Sequence, residues 1–364
     1  MQWTQTAAGH PTVSVIVPAR NEEASLRACL ESLMAQAGLP FEVIVVDDQS
    51  TDRTREIALS FPGVRVIDAS PLPPGWTGKN HAVTCGARVA KGEWLLFTDA
   101  DTVHLPGSLA RSMNEAKLHG AALLSYSPEQ VVVSIWEKAV MPVIFAELAS
   151  IYRPSQVSDP NSAVAAANGQ YILITRVAYD AVGGHSAIAG SLLEDVALAR
   201  AVKQSGRKIF FRYGGDAVRT RMYRSFAQLV EGWTKNLALL FPSPAFLALW
   251  RLLEFAVILA SLTLLVLAVV QKSPVYAALC LIPPALTLMR ISRAHFSWDA
   301  NLLGLFGLPL FSYLLLRSKW AHAKGAVGWK GRQYSPPPDL KKAIESRQLQ
   351  SGETAAKPQL RTEN

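Results

Sequence analysis

Two acidic clusters close two apolar runs rich in β-branched and aromatic residues, about fifty residues apart: Val43-Ile44-Val45-Val46-Asp47-Asp48 and Trp94-Leu95-Leu96-Phe97-Thr98-Asp99-Ala100-Asp101. Short runs of this kind read as buried strands of a parallel sheet, and ligands of open α/β sheets bind beyond the carboxyl ends of the strands. Both clusters fall at that end. Carboxylates spaced like Asp99 and Asp101 on the turn after a strand can hold Mg²⁺ or Mn²⁺, because a hard divalent ion takes oxygen ligands and keeps positions open for diphosphate. Asp is also a common turn residue, so either cluster alone suits a plain strand end. Together they point to a metal-assisted nucleotide-sugar site.

Three further segments carry candidate chemistry. Pro18-Ala19-Arg20-Asn21-Glu22 follows the first strand and offers an amide and a carboxylate to a base. Lys79, with Trp76 and Thr77 on an irregular loop, is either a surface lysine or a point charge for a diphosphate. Glu194 and Asp195 open a helix, where acidic residues offset the dipole; the sharper reading makes Asp195 a general base, its pKa raised by Glu194 and partial desolvation. No Gly-x-Gly-x-x-Gly or Gly-Lys-Ser/Thr loop follows a strand, so dinucleotide and P-loop readings lose their main support.

The elements that must position these residues alternate. Val13 to Val17 is a strand, Glu22 to Gln36 a helix, Phe41 to Val46 a strand, and a helix starts near Arg53 behind Ser50-Thr51-Asp52. Val64 to Ile67, a helix from Asn80 to Ala90 and strand Glu93 to Thr98 follow. The pattern predicts an α/β fold, a mostly parallel sheet with helices on both faces. Beyond Pro106 it changes. Val131 to Tyr152 reads as a helix against core or bilayer, its charges Glu137, Lys138 and Glu147 forming a solvated side. Strand Gln170 to Thr175 and helices Val177 to Val182 and Ser191 to Gln204 come next, then an interfacial helix from Met222 with Arg219, Arg221 and Arg224 at its start.

From Ala245 three apolar stretches, Phe255 to Val270, Pro274 to Met289 and Ala300 to Leu316, predict two to three membrane spans. Ala300 to Leu316, with Gly304, Gly307 and Pro309, is the candidate for a re-entrant or interfacial segment, because three crossings would put the basic tail outside, against the positive-inside tendency. Net charge is +8, with ten Lys/Arg against four Asp/Glu from Arg317 onward. Such a tail suits an anionic leaflet, whereas a nucleic-acid binder would carry the charge on its folded domain, so no nucleic-acid partner is expected. Cys29, Cys85 and Cys280 lack metal or disulfide spacing, and Met1 to His10 lacks signal-peptide features. The expected location is the inner or plasma membrane with the catalytic part in the cytoplasm.

Pro18-Ala19-Arg20-Asn21-Glu22, Val46-Asp47-Asp48-Gln49-Ser50-Thr51-Asp52, Thr98-Asp99-Ala100-Asp101 and Leu193-Glu194-Asp195 occur in the order seen in family 2 glycosyltransferases, and the chain resembles their membrane-bound members of GT-A fold. Pro73-Pro74-Gly75-Trp76-Thr77-Gly78-Lys79, Ala167-Asn168-Gly169-Gln170 and Trp329-Lys330-Gly331-Arg332 make it most similar to the branch of hopene-associated, carotenoid and ceramide-type lipid glycosyltransferases. The resemblance implies a catalytic domain over 12–236 with an interfacial helix at its end; the apolar runs and the composition add a transmembrane region over 245–317 and a basic, partly disordered tail over 318–364. The resemblance also implies that Pro18, Arg20, Asn21, Glu22, Asp47, Asp48, Lys79 and Asp99 bind the nucleotide, that Asp99 and Asp101 hold the metal, and that Asp195 beside Glu194 is the base of a single inverting displacement. Gly169, Gln170, His185 and Trp233 would face the acceptor. Processive members carry Gln or Arg, two spacers, Arg and Trp before the membrane region; here Leu229-Val230-Glu231-Gly232-Trp233 keeps only the Trp. That favours transfer of one sugar from a UDP- or GDP-sugar to a membrane lipid. A polyprenyl-phosphate sugar transferase shares the same motifs, and a non-catalytic membrane scaffold of this fold is the reading from another class.

Overall fold

The computed structural model describes residues 11–334. The expectations for the first ten residues and for 335–364 lie outside that range. Strand and helix alternate through β1 (Val13–Ala19), α1 (Leu26–Met34), β2 (Phe41–Asp47), α2 (Thr54–Leu59), β3 (Val64–Asp68), α3 (Gly78–Val89) and β4 (Trp94–Phe97). There follow β5 (Thr102–His104), α4 (Ser108–His119), β6 (Leu123–Ser127), β7 (Glu129–Gln130), α5 (Ile135–Ile151) and α6 (Pro154–Ser158). Then come β8 (Ile172–Thr175), α7 (Arg176–Ala181), α8 (Glu194–Gln204), β9 (Ile209–Tyr213), β10 (Val218–Thr220) and α9 (Phe226–Leu240). The chain continues through α10 (Pro244–Val270), α11 (Pro274–Cys280), α12 (Ile282–Ile291) and α13 (Trp298–Ala323) to a hairpin of β11 (Val327–Trp329) and β12 (Arg332–Tyr334).

The main sheet runs β3-β2-β1-β4-β8-β6-β9, all parallel except β8. Central β1 is apolar on both faces because both are covered. Val13, Val15 and Val17 pack with Leu26 and Leu30 of α1 and Met113 of α4, while Ile16 packs with Val83 of α3 and Leu198 of α8. The mostly parallel sheet with helices on both faces is therefore present. Between Thr102 and Ser127 the chain forms β5, α4 and β6, which the sequence reading left unassigned; Gly107 and Gly120, with φ of 75° and 59°, bracket α4.

Helix α1 starts four residues later than expected. The N–H groups of Glu22 and Glu23 bond Thr54 Oγ1, at the start of α2, and Asp52 Oδ2, on the loop before it, at 2.7 and 3.1 Å, so this stretch is tied to the segment after β2.

The charges on α5 are not a solvated side. Glu137 closes a capping box with Ser134 and pairs with Arg221 at 3.1 Å, and buried Glu147 joins α5 to Arg251 of α10 and Arg290 of α12. Arg221 thus braces α5, and Arg219 lies on β10 rather than at the start of an interfacial helix. Among the described residues three helical segments are long and apolar enough to cross a membrane: Pro244–Val270, Pro274–Ala294 and Trp298–Ala323. The first two expose most of their surface, as in Leu249, Val257, Val266 and Leu286. The third is half buried and unbroken despite Pro309. It packs in one apolar cluster with α5, α9 and α10, and a Cβ on Gly307 would stand only 1.8 Å from the Ala139 carbonyl oxygen of α5.

Candidate functional site

The loops after β1, β2 and β4 open into a cavity of about 730 Å³ at the carboxyl edge of the sheet. Pro18, Arg20, Glu22, Asp48, Lys79, Asp99 and Asp101 line its first end, and Gly169, Gln170, Glu194 and Asp195 its floor. Three expected site residues do not line it. Asn21 points to the neighbouring loop, its Oδ1 accepting from Thr51 N at 2.9 Å, and Asp47 Oδ1 accepts from Ser50 N at 3.3 Å; both brace loops. His185 is buried beneath the floor, its Nδ1 3.0 Å from Tyr179 Oη and its ring edge-on to Phe97, so it supports the site and does not face an acceptor. Burial holds its pKa down to about 4, which keeps it neutral.

Lys79 is not on an irregular loop but in the first turn of α3, which Thr77 caps by accepting from Asn80 N at 3.2 Å. The Asn80 side chain bonds the carbonyls of Ile188, Ala189 and Ser191 at 2.9–3.0 Å, tying this turn to the loop ahead of α8. Lys79 Nζ consequently stands 2.7 Å from Asp99 Oδ1 and 2.7 Å from Glu194 Oε1. Burial would lower its pKa, but the two carboxylates raise it well above the usual value. Burial would likewise raise the Glu194 carboxyl, yet Lys79 and then Lys235 bring it down to about 2. Asp195 goes the other way: burial, then the charge of Glu194, lift it to about 6. Two adjacent carboxylates thus differ in acidity, because Lys79 and Lys235 keep Glu194 ionised while burial and that charge lift Asp195.

Asp101 is raised to about 7 by burial and by Asp99 and Glu22. Its Oδ1 is buried and has no hydrogen-bond partner among the described residues. An orphaned carboxylate oxygen beside a second carboxylate fits a divalent ion that draws its other ligands from a diphosphate and water. No group of three or more acidic, His or Cys side chains converges as a complete metal cage among the described residues.

The stretch from 318 onward does not behave as a separate tail as far as it is described. Residues 318–323 finish α13, and the β11–β12 hairpin folds back into the cavity. Lys330 pairs with Glu22, Arg332 Nη2 donates to Asp48 Oδ1 at 2.9 Å, and Arg20 Nη1 and Nε donate to the carbonyls of Asp48 and Lys330 at 2.6 and 3.3 Å. Sequence reasoning gave these residues no role. The available signal was Lys330-Gly331 between Val327/Trp329 and Arg332/Tyr334, a two-residue turn between short alternating runs.

The other end of the cavity is more apolar. Phe145, Leu148, Trp233 and Leu240 line it, and Arg153, Arg290 and Arg293 are also in the lining. Gln170 is buried between the two ends, 3.4 Å from Thr220 Oγ1. Trp233 Nε1 is buried without a partner among the described residues, and Lys235, missed in the sequence, enters from α9 and lies over the Trp329 ring at 5.4 Å.

A seven-stranded sheet with its acidic loops on one edge and Glu194 and Asp195 at the start of α8 is the GT-A architecture of nucleotide-sugar transferases. The fold is similar to that of a mannosyltransferase from Pyrobaculum calidifontis determined with GDP-Man and Mn2+, with a TM-score of 0.53 at 18% identity, over 86% of this chain and 87% of that one. The sequence matches the glycosyl transferase family 2 model over residues 14–159. It is 30% identical over 338 residues to the 4,4'-diaponeurosporenoate glycosyltransferase of Staphylococcus aureus strain MRSA252, spanning 90% of this chain and 89% of that protein, and 29% identical over the same length to its counterpart in strain USA300. The chain belongs to glycosyl transferase family 2 and is a glycosyltransferase.

Proposed function

We propose that this enzyme transfers a single sugar from a UDP- or GDP-sugar to a membrane lipid, with inversion at the anomeric carbon and with Mg²⁺ or Mn²⁺. The observation that carries the reading is one continuous cavity, charged where Asp48, Lys79, Asp99 and Asp101 meet and apolar where α5 and α9 approach the membrane-type helices. A nucleotide-sugar suits the first end and a lipid chain the second.

Pro18, Arg20, Glu22 and Asp48 would line the nucleoside pocket, with Asn21 and Asp47 holding its loops. Asp99 and Asp101 would hold the metal, which supplies charge neutralisation to the leaving diphosphate. Lys79 keeps Glu194 ionised and oriented. Asp195 would take the proton of the acceptor hydroxyl as that oxygen bonds the anomeric carbon and the bond to diphosphate breaks, giving the inverted product with no covalent enzyme intermediate. Gly169, Gln170 and Trp233 would position the acceptor head. The relatives named for 4,4'-diaponeurosporenoate support a lipid-like acceptor. Arg153 and Arg293 in the lining favour keeping an anionic acceptor, such as a polyprenyl phosphate, as the second reading.

Two membrane crossings, α10 and residues 274–294, fit best. Lys330 bonds Glu22, so residue 330 and the catalytic loops share one side, and an even number of crossings separates them. Helix α13 touches the catalytic part near both of its ends, through Asp299 to Lys138 at 2.7 Å and Ser318 Oγ to Thr234 O at 2.6 Å, as an interfacial helix would. The catalytic domain over 12–236 and the hairpin would both face the cytoplasm.

The test is transfer by the detergent-purified chain from a panel of UDP- and GDP-sugars to total membrane lipid, with and without Mn²⁺. Lipid labelling by one donor, abolished by chelation and by Asp101→Ala and Asp195→Ala, is expected. Folded protein that labels no lipid with any donor and binds no nucleotide would leave the scaffold reading.

A further inference from the structure

The donor end of the cavity is an acidic wall. Six carboxylates face it, from Glu22, Asp48, Asp99, Asp101, Glu194 and Asp195. A nucleoside diphosphate is itself anionic, and one divalent ion offsets only part of that repulsion. Lys79 is already engaged by Asp99 and Glu194, and Arg20 is directed to backbone carbonyls. Besides Lys235 of α9, the remaining cations at this end are Lys330 and Arg332 of the hairpin, paired with Glu22 and Asp48.

Its geometry delivers them there. Trp329 pairs with Arg332 across the strands, and the two turn residues, Lys330 and Gly331, have φ of 46° and 76°, the left-handed pair of a tight hairpin turn. Val327 anchors the base by packing, buried, against Leu192, two residues ahead of Glu194, and Ala321 of α13. Lys330 N donates to Glu231 Oε1 of α9 at 3.2 Å, fixing the turn over the cavity. Arg332 lies across the start of α3: a Cβ on Gly78 would fall 1.9 Å from its Nη1, so a residue without a side chain is what admits it. A guanidinium at the positive end of a helix dipole is unfavourable unless an anion sits with it. Asp48 is that anion here. Lys330 pairs with Glu22 and lies near Asp101 as well.

We infer that Lys330 and Arg332 are donor-diphosphate ligands, carried on a C-terminal strap that completes the site from beyond the membrane-type helices. Glu22 and Asp48 hold the two cations at the wall, and phosphate oxygens take the place of these carboxylates. The inference rests on the donor-site reading above.

The experiment is calorimetric titration of the full-length chain in detergent with UDP and GDP, and with UMP and GMP, all in Mn²⁺. The wild type should bind one diphosphate more tightly than its monophosphate. Replacing both cations (K330Q/R332Q) should weaken the diphosphate about 30-fold and reduce that preference at least tenfold, whereas K330R/R332K should stay within about threefold of wild type. If the strap is only a latch, monophosphate and diphosphate affinities will fall together or not at all, and the inference fails while the function stands. If the wild type binds neither UDP nor GDP, the donor-site reading itself fails and takes the strap with it.

Discussion

The backbone N–H of Gly169 donates to Asp195 Oδ2 across 3.0 Å, while Asp195 Oδ1 accepts from Val196 N at 2.8 Å. Both carboxylate oxygens are aimed by backbone groups, and a Cβ on Gly169 would reach 2.8 Å from Lys79 Nζ and 3.2 Å from Glu194 Oε1. One glycine thus sets the approach of three charged side chains.

Burial and Glu194 lift Asp195 to about 6, with Lys79 opposing, and a base works only when unprotonated. Transfer to a hydroxyl acceptor should therefore be level above about pH 6 and fall toward tenfold per unit below it, read as kcat/KM against pH. Asp195→Asn should remove that limb and cost about 10²–10⁴ in rate. An acceptor that is already an anion needs no base, so a small loss in the same variant would favour the phosphate-type acceptor.

Lys79→Met would leave Asp99 and Glu194 facing each other without their cation. Removing one partner of a largely buried pair should cost about 2 kcal/mol, less than for a fully buried one because Lys79 keeps some exposure. Glu194 is held at about 2, below its unfolded value, so the wild type keeps this stabilisation at pH 5 and above, losing it only as pH falls toward 2. In the variant both carboxylates protonate more readily. The melting deficit against wild type should be larger at pH 8 than at pH 5, and an equal deficit at both would contradict the ion-pair account.

Gly307 lets α13 touch the α5 backbone at Ala139, whereas a Cβ on Gly304 would meet side chains alone, Ile291 at 3.2 Å and Pro142 at 3.7 Å. Gly307→Ala should cost about 2 kcal/mol or more through forced separation of the helices, and Gly304→Ala little, because a side chain can shift. Thermal unfolding in detergent distinguishes the two; equal effects would argue against close backbone packing.

Gln333→Cys, in a chain with its three native cysteines replaced, should react with a membrane-impermeant thiol reagent only after cells are opened. Labelling of intact cells would break the proposed even-crossing arrangement, which rests on the Lys330–Glu22 pair.

The amino-acid sequence alone determined where Asp48, Asp99 and Asp101 would stand. Strand-like apolar runs and the chain direction of a parallel sheet put their carboxyl ends on one edge, and that logic is local. Family motifs extended it to Glu194 and Asp195, and hydrophobic run length marked the membrane-type helices. Tertiary structure decided what local pattern does not encode. Lys79 reads as a loop lysine until α3 places it between Asp99, on the loop after β4, and Glu194 of α8. Asn21 and Asp47 belong to the right motifs and His185 is expected at the acceptor, yet their side chains satisfy neighbours and not the cavity. Lys330 and Arg332 lie some three hundred residues from the carboxylates they bind, and only the path of α10 to α13 returns them. Charge complementarity acts through space, at a few ångströms, and is indifferent to separation along the chain.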